Sequence, residues 1–467
     1  MSILSTLLIA ASGMQTQQQG LQTTGHNISN ATTPGYSRQR LETMAAFPLQ
    51  QGRIILGQGV RVEEIRAVVD SLLEAQLVSL HGSLGFADAE SQALANIQDL
   101  FPTDGQNGIG AALKAFFGAL SDLSTNPAGS SERIHVIGMA AALGNILGQT
   151  RSGLVSAQTN LDNDLHGKVL RLNDLLSRIA DLNREVASSE VRGNPANDLR
   201  DQRQILLQEV SRLTGTTIYE SDEGEISVLA GNILLVRGDR AASVNESDLG
   251  PSGFRQIIYV APDGISFEAT SLFTRGAIGS VIALRDAELP AIINSIDLLA
   301  KTVVDGVNSQ HVLGFDLNGL AGGDFFDPIG AVLGAAGHVK VTSPVRADPD
   351  LIAAAQEAGG VPGDNRNALA LVDLEKLPFP ALGDSNFNSY FLSVVGEVGG
   401  RIERSENARD FQSSLLTQAQ IRRDATSGVN IDEEMTNLIL FQRAFEAASL
   451  LVRKGDEMYE ALLAMVR

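Results

Sequence analysis

Few residues of this chain have the types and spacing that active-site chemistry requires. The six histidines include no pair at the i,i+4 spacing used by zinc enzymes, and the chain has no cysteine to complete such a site. Gly57-Gln58-Gly59 lacks the third glycine of a dinucleotide-binding loop. Asp201, Glu209, Glu220 and Asp222 have no companion that would mark a pair of catalytic carboxylates. We predict that the protein is not an enzyme and uses no cofactor.

One loop has the residue types that bind calcium. Asp316-Leu317-Asn318-Gly319, with Asp324 after it, groups carboxylate and amide oxygens as calcium sites do. It lacks the spacing and the distal glutamate of an EF-hand, and an Asx turn explains the same residues. We therefore predict a turn without a metal, with Ca²⁺ as the alternative.

The composition excludes two classes of partner. The chain has 467 residues, a net charge of −20 and no run of clustered Lys and Arg, so phosphate-rich nucleic acid is not expected to bind. No apolar run approaches the roughly 20 residues needed to span a bilayer. The length is sufficient for several domains, each with its own core.

The amino end has the pattern of a helix that packs along another helix. Its first 37 residues contain no Asp, Glu, Lys or Arg, so no ion pairs can support an isolated helix there. Apolar and small residues recur at alternating spacings of three and four. This row consists of Leu4, Leu7, Ala11, Met14, Gln18, Leu21, Gly25 and Ile28.

The carboxyl end has two neighbouring rows of the same kind, which predict two packing partners. One partner would be the amino-terminal helix and the other a neighbouring molecule, although core helices of an ordinary globular domain would show similar stripes. The first row is Ile431, Met435, Leu438, Gln442, Phe445, Ser449, Val452, Asp456, Tyr459, Leu463 and Val466. The second is Phe441, Ala444, Ala448, Leu451, Gly455, Met458, Leu462 and Met465.

Local signals mark where the terminal helices end and begin. Pro34 and Gly35 suit the centre of a type II turn, and Asn430 suits the N-cap of the last helix, with Glu433 at the capping-box position. We predict an assembly interface formed by Leu4, Leu7, Ala11, Met14, Leu21, Ile28, Asn30, Pro34, Gly35, Tyr36, Ile431, Met435, Leu438, Phe441, Phe445, Leu451, Val452, Tyr459 and Leu462.

The interior predicts a mainly α protein with an inserted β-rich domain, an α+β fold. Helical periodicity covers 64–100, 111–123, 131–190, 198–213, 279–310 and 387–426. Strand patterns cover 216–220, 225–230, 233–237, 254–260 and 265–269. The predicted domains are a terminal helical domain (1–35 plus 428–467), a helical-bundle body (36–213 plus 279–312 plus 385–427) and a β-rich or mixed outer domain (214–278 plus 313–384).

Several segments resemble a known family. Asn27 to Arg40 and Ser427 to Phe445 resemble the terminal signatures of bacterial flagellar axial proteins. Interior segments resemble the flagellar hook-associated protein 1 (FlgK) family of the hook-filament junction. These segments are 116–127, 197–203, 308–326 and 363–371. The chain is shorter in the middle than the longer members, which implies that one outer domain is reduced or missing.

The resemblance implies a structural adaptor between hook and filament. It implies an extracellular location after a cytoplasmic stage and type III export, with terminal helices that fold on assembly. The implied partners are further copies of the chain, the hook protein, a second junction protein and a cytosolic chaperone that binds the carboxyl-terminal helix.

Two alternatives remain open at this stage. Another flagellar axial protein, such as a hook or distal rod component, would share the amino-terminal motif but lack the interior likeness. A non-flagellar helical scaffold or adhesin would instead have terminal helices that are already ordered in the monomer.

Overall fold

The computed structural model describes residues 3–51, 54–102, 107–192, 195–221, 224–247, 250 and 253–466. Asp222 and the side chains of Leu4 and Val466, all named above, lie outside the described part of the chain. The α+β prediction is confirmed, because long helices carry small antiparallel sheets. The helices are α1 (Ile3–Ser29), α2 (Ser71–Gln98), α3 (Gly108–Thr125), α4 (Ser130–Glu190), α5 (Asn197–Thr214), α6 (Gly276–Ala283), α7 (Leu289–His311), α8 (Ser343–Ala347), α9 (Arg366–Asp373), α10 (Phe387–Ser427) and α11 (Ile431–Val466).

The strands form separate antiparallel sheets. The two longest early strands make a ribbon, and a short hairpin lies between them. Later strands form a four-stranded and a three-stranded sheet. The strands are β1 (Gln39–Ala45), β2 (Leu49–Gln51), β3 (Ile54–Leu56), β4 (Val60–Ala67), β5 (Thr216–Glu220), β6 (Ile226–Ala230), β7 (Ile233–Arg237), β8 (Arg240–Ala241), β9 (Ser243–Glu246), β10 (Ile257–Val260) and β11 (Ser266–Glu268).

The terminal helices α1 and α11 pack antiparallel. A Cβ placed on Gly20 would lie 2.7 Å from the Phe441 ring, and one placed on Gly13 would lie 3.8 Å from Ala448. Moving seven residues toward the amino end of α1, from Gly20 to Gly13, therefore corresponds to moving seven residues toward the carboxyl end of α11, from Phe441 to Ala448. The predicted N-cap of α11 is confirmed, because Asn430 Oδ1 accepts hydrogen bonds from the backbone nitrogens of the second and third helical residues.

The β1–β4 ribbon corrects one sequence-based expectation. The predicted helix from Glu64 begins only at Ser71, where Asp70 Oδ1 accepts hydrogen bonds from the backbone N–H groups of Leu72 and Leu73. Residues 60–67 instead form β4, in which Val60, Val62 and Ile65 are half-buried, and β4 contacts α1. In this contact, Val60 N donates to Ser12 Oγ of α1 at 3.4 Å.

The body is built around α4, which has 61 residues and is about 90 Å long. Its apolar stripe packs against α3, α5, α6 and α7, and the buried residues form one continuous core. A second pair, α2 and α10, joins this core on one side. A π-helical turn at Leu284–Glu288 connects α6 to α7.

Two segments cover different parts of α4. Sheet β5–β8 and strand β9 attach near its carboxyl end, where Asn183 Nδ2 donates to Ile226 O and Asn173 Nδ2 to Val244 O. Segment 313–384 attaches near the amino end through buried Arg133, whose guanidinium donates to Ile352 O at 2.7 Å. Arg133 and Asn173 are about 60 Å apart along the helix. The grouping of the two segments into one outer domain stays a prediction.

Close contact between α2 and α5 gives a first testable expectation. A Cβ on Gly85 would lie 2.0 Å from the backbone oxygen of Arg212, which cannot move like a flexible side chain. We expect Gly85→Ala to destabilise the body by about 1–3 kcal/mol, seen as a lower urea midpoint of unfolding. The matched control is Gly118→Ala in α3, where no atom lies within 4 Å of the new Cβ. Equal midpoints for the two variants would contradict this packing.

Candidate assembly interface

The α1 residues that contact α11 include Leu7 of the predicted row, together with Gly13, Gly20 and Asn27, which each lie one residue before a member of that row. The glycines let the two helix axes approach closely. The buried residues in the described part of α1 are Ala10, Thr16, Gly20, Thr23, Thr24 and Asn27. Of the predicted residues, Ala11 is exposed, and those that are half-buried are Leu7, Met14, Leu21 and Ile28.

On α11, the face toward α1 combines members of both predicted rows. It repeats at alternating spacings of four and three, and begins with buried Glu434. The remaining positions are Leu438, Phe441, Phe445, Ala448, Val452 and Gly455. Five predicted interface residues instead face solvent in the single chain, with exposed fractions from 46% to 53%. They are Ile431, Met435, Leu451, Tyr459 and Leu462.

The helix pair exposes an unusual amount of apolar surface. Leu440 is 63% exposed and Met465 is 76% exposed, and they add to the five residues above. α11 also extends beyond α1, because Leu7 already lies beside Gly455 and α1 begins at Ile3. The last two turns of α11 therefore have no α1 residue beside them. Exposed large apolar side chains on both flanks of α11 indicate a protein-protein interaction site.

A buried asparagine joins the terminal helices to the chain that follows α1. Asn27 Nδ2 donates to Gln39 O at 2.8 Å and to Glu434 Oε2 at 3.2 Å. Its Oδ1 accepts hydrogen bonds from Gln39 N and from the Tyr36 hydroxyl, at 2.9 and 2.8 Å. Asn27 thus fixes α1, α11 and the ribbon relative to one another. We call this group, together with Arg38, the Asn27 cluster.

Among the described residues of the predicted interface, Tyr36 is the one that is buried, and it belongs to this cluster. Burial raises the pKa of its hydroxyl, and the nearby carboxylates of Asp198, Asp201 and Glu434 raise it further. The hydroxyl therefore stays protonated at neutral pH and remains a hydrogen-bond donor to Asn27.

The first charged residue of the chain completes the cluster. Arg38 Nε lies 2.8 Å from Oε1 of Glu434, whose side chain is 2% exposed, and Arg38 NH1 lies 2.7 Å from Oε2 of exposed Glu433. The backbone nitrogen of Arg38 donates to Ser427 O at the end of α10. Because Glu434 is buried, Arg38 supplies the positive charge that this carboxylate requires.

A second set of contacts ties the same segment to the body. Arg423 of α10 donates to Gly35 O at 2.7 Å and pairs with Glu74 of α2 at 3.0 Å. Ser37 N donates to Asp201 of α5 at 2.7 Å. Residues 35–38 therefore connect the terminal helix pair directly to α10 and α5, and through Arg423 to α2.

The predicted turn residues shape this segment. Gly35 has a φ of +78°, and Tyr36 N donates to Thr33 O, as in a type II turn with Pro34 at its first central position. Pro34 is exposed, whereas Asn30 is half-buried and donates to His26 O at the end of α1. These residues direct the chain from α1 to the body.

The candidate residues for chemistry do not converge. Asp201 accepts from Ser37, Glu209 pairs with Arg171 and Glu220 pairs with Arg200. Asp316 Oδ1 accepts from the backbone nitrogens of residues 318 and 320, which is the predicted Asx turn. In the part of the chain that is described, no group of His, Asp and Glu is arranged to hold a metal ion.

Sequence reasoning missed Asn27, Arg38 and Glu434. The sequence does contain one signal for them. The amino end is uncharged up to Arg38, which follows the Pro34-Gly35 turn by three residues, and a charge at such a place needs a carboxylate partner. No described helix combines the length and the apolar character that crossing a bilayer requires.

The terminal segments place the chain in a class. Residues 7–36 match the family described as flagella basal body rod protein, and residues 424–465 match the flagellar basal body rod FlgEFG protein C-terminal family. These segments contain most of the α1–α11 pair and the turn after α1. The fold and the interface therefore define a flagellar axial protein.

The interior identifies the family. Residues 94–326 match the flagellar hook-associated protein FlgK helical domain. Flagellar hook-associated protein 1 of Bacillus subtilis is 27% identical, with 97% of this chain and 96% of the relative covered. Its counterpart from Escherichia coli is 24% identical, with 97% and 98% covered. The chain belongs to the FlgK family of flagellar hook-associated proteins.

A solved structure supports the fold. The flagellar hook junction protein FlgK from Burkholderia pseudomallei superimposes with a TM-score of 0.66 at 15% identity, covering 76% of this chain and all of that one. The alignment with the Escherichia coli relative extends over 540 positions, against 467 residues here. That relative thus has additional residues, in agreement with the expected shorter chain.

Proposed function

We propose that this flagellar structural protein forms the hook-filament junction and that the α1–α11 pair is its assembly element. The observation that carries this proposal is the exposed apolar surface of that pair, which the Asn27 cluster holds in a fixed position relative to the body. Neighbouring copies, the hook protein and a second junction protein would cover this surface. The match of residues 94–326 to the FlgK helical domain disfavours a hook or rod component.

Assembly by coupled folding fits the physical properties of the two ends. An isolated amino-terminal segment without charges gains too little from helix formation to offset backbone ordering of roughly 1–2 kcal/mol per residue. Burying ten large apolar side chains between subunits contributes on the order of 15–30 kcal/mol before entropy is subtracted. The terminal segments would therefore be largely disordered in the exported subunit and fold at the growing tip.

Binding to isolated hooks tests the proposal. We expect the purified chain to bind saturably to hooks prepared from cells that lack it, with several copies per hook counted by quantitative immunoblot. The bound chain should be protected from proteolysis in α1 and α11, whereas the free chain is cleaved there. Absence of binding, with intact hooks, would contradict a junction role.

The exposed carboxyl-terminal helix also requires protection before export. We propose that a cytosolic chaperone covers α11, and we expect truncation from Asn430 to abolish co-purification with that chaperone. A chain that lacks residues 3–29 is the control and should still bind, because α11 remains intact. Chaperone binding by the chain truncated at Asn430 would refute this site.

A further inference from the structure

One face of the β1–β4 ribbon has charges in an unfavourable arrangement. In the antiparallel register, Arg40 lies directly opposite Arg66, and Glu42 lies directly opposite Glu64. Alternate residues of a strand point to the same side, so both pairs lie on one face of the ribbon. Like charges directly opposite one another destabilise a strand pair.

Within the described part of the chain, no ion pair compensates for this arrangement. Arg40, Glu64 and Arg66 are exposed and Glu42 is half-buried. None of the four side chains forms an ion pair or hydrogen bond with another described residue. The ribbon therefore presents a row of two positive charges beside a row of two negative charges, ready for an external partner.

Complementary charges are present on the exposed end of α11. Asp456 and Glu460 are four residues apart, lie on one face and have no partner among the described residues. Arg453 is exposed one turn earlier. Asp456 and Glu460 are opposite in charge to the arginine pair of the ribbon, and Arg453 is opposite in charge to its glutamate pair. Tyr459, which is 53% exposed, lies one turn from Asp456 and belongs to the exposed apolar residues described above.

The two charged surfaces of one molecule cannot meet. The arginine end of the ribbon lies beside the Asn27 cluster, since Gln39, next to Arg40, is bonded to Asn27, which contacts Glu434. Glu434 and Asp456 are about 33 Å apart along α11. Pairing therefore requires a second copy. Because the surfaces differ, the contact is heterologous and can repeat from subunit to subunit.

We propose that Arg40 and Arg66 of one subunit bind Asp456 and Glu460 of a neighbouring copy. The contact rests on the proposed assembly function and names one of its subunit-subunit interfaces. The charged groups orient neighbouring subunits, whereas burial of the apolar surface would supply most of the free energy of association. Since the groups are exposed, salt should weaken the contact.

Charge reversal tests the contact with the full chain and isolated hooks. We expect Arg40→Glu/Arg66→Glu and, separately, Asp456→Lys/Glu460→Lys to raise the half-saturating concentration at least tenfold at 50 mM NaCl. The variant that carries all four substitutions should bind with a half-saturating concentration within threefold of that of the unmodified chain. At 500 mM NaCl, the original chain and both double variants should bind nearly alike.

The control is Arg237→Glu/Arg240→Glu, another pair of exposed, directly opposed arginines, at the β7–β8 hairpin. It should bind as the unmodified chain does. Normal binding by both double variants, or no recovery in the variant with all four substitutions, would overturn the proposed contact while leaving the junction function intact. Failure of the unmodified chain to bind hooks would instead contradict the proposed function.

Discussion

Cells whose only copy carries Gly20→Leu are expected to have hooks but at least tenfold fewer filaments. A Cβ at position 20 would already lie 2.7 Å from the Phe441 ring, and a leucine side chain extends further into the same space. Such overpacking typically costs about 1–3 kcal/mol. It would force α11 away from α1 and separate Asn27 from Glu434, so that the hydrogen bonds of the Asn27 cluster would be lost as well.

The matched control for this prediction is Gly25→Leu in the same helix. No atom lies within 4 Å of a Cβ built on Gly25, and the substitution raises helix propensity by the same amount as at Gly20. Filament counts by electron microscopy should stay near normal in this control. Equal filament counts in the two variants would contradict the packing of α1 against α11 in the assembled state.

Arg38→Met is expected to weaken the assembled junction by about 3–5 kcal/mol, because it leaves the buried carboxylate of Glu434 without its cation. Glu434 is 2% exposed and lies 2.8 Å from Arg38 Nε. Filaments should detach from isolated flagella at a clearly lower temperature than in the unmodified protein. The effect on the stability of the body should be small, because the buried carboxylate belongs to α11.

Two further variants separate this effect from a general loss of charge. Glu433→Gln removes the exposed pair with Arg38 and is expected to change stability by less than about 1 kcal/mol. Adding Glu434→Gln to Arg38→Met should raise the detachment temperature part of the way back to that of the unmodified protein, since no unpaired charge remains buried. A detachment temperature in Arg38→Met as high as in Glu433→Gln would contradict the role assigned to the buried pair.

The periodic parts of the fold were predictable from the sequence, and the ribbon was not. The 61-residue α4 follows an apolar repeat that extends without a break, and the hairpin of β10 and β11 follows from its turn residues. The β1–β4 ribbon is short and its charges interrupt the apolar alternation, so the sequence pattern predicts a helix from Glu64. Tertiary contact with α1 decides its strand conformation.

That the terminal helices form the assembly interface stays a prediction. Within the chain, Gly13 and Gly20 of α1 lie against α11, next to the bulky Met14 and Leu21 of the predicted row. Small residues contribute little to an apolar pattern, yet they permit the closest approach of two helices. The bulky residues are then left at the margin of the pair, where neighbouring subunits would cover them.

Electron microscopy of cells that lack this protein tests the central claim most directly, with the spent medium assayed for flagellin. The gene is then restored with or without residues Asn430 to Arg467. A junction adaptor that assembles through its terminal helices predicts complete hooks without filaments, flagellin lost to the medium, and rescue by the full chain alone. Missing hooks, normal filaments, or rescue by the chain without α11 would contradict the account.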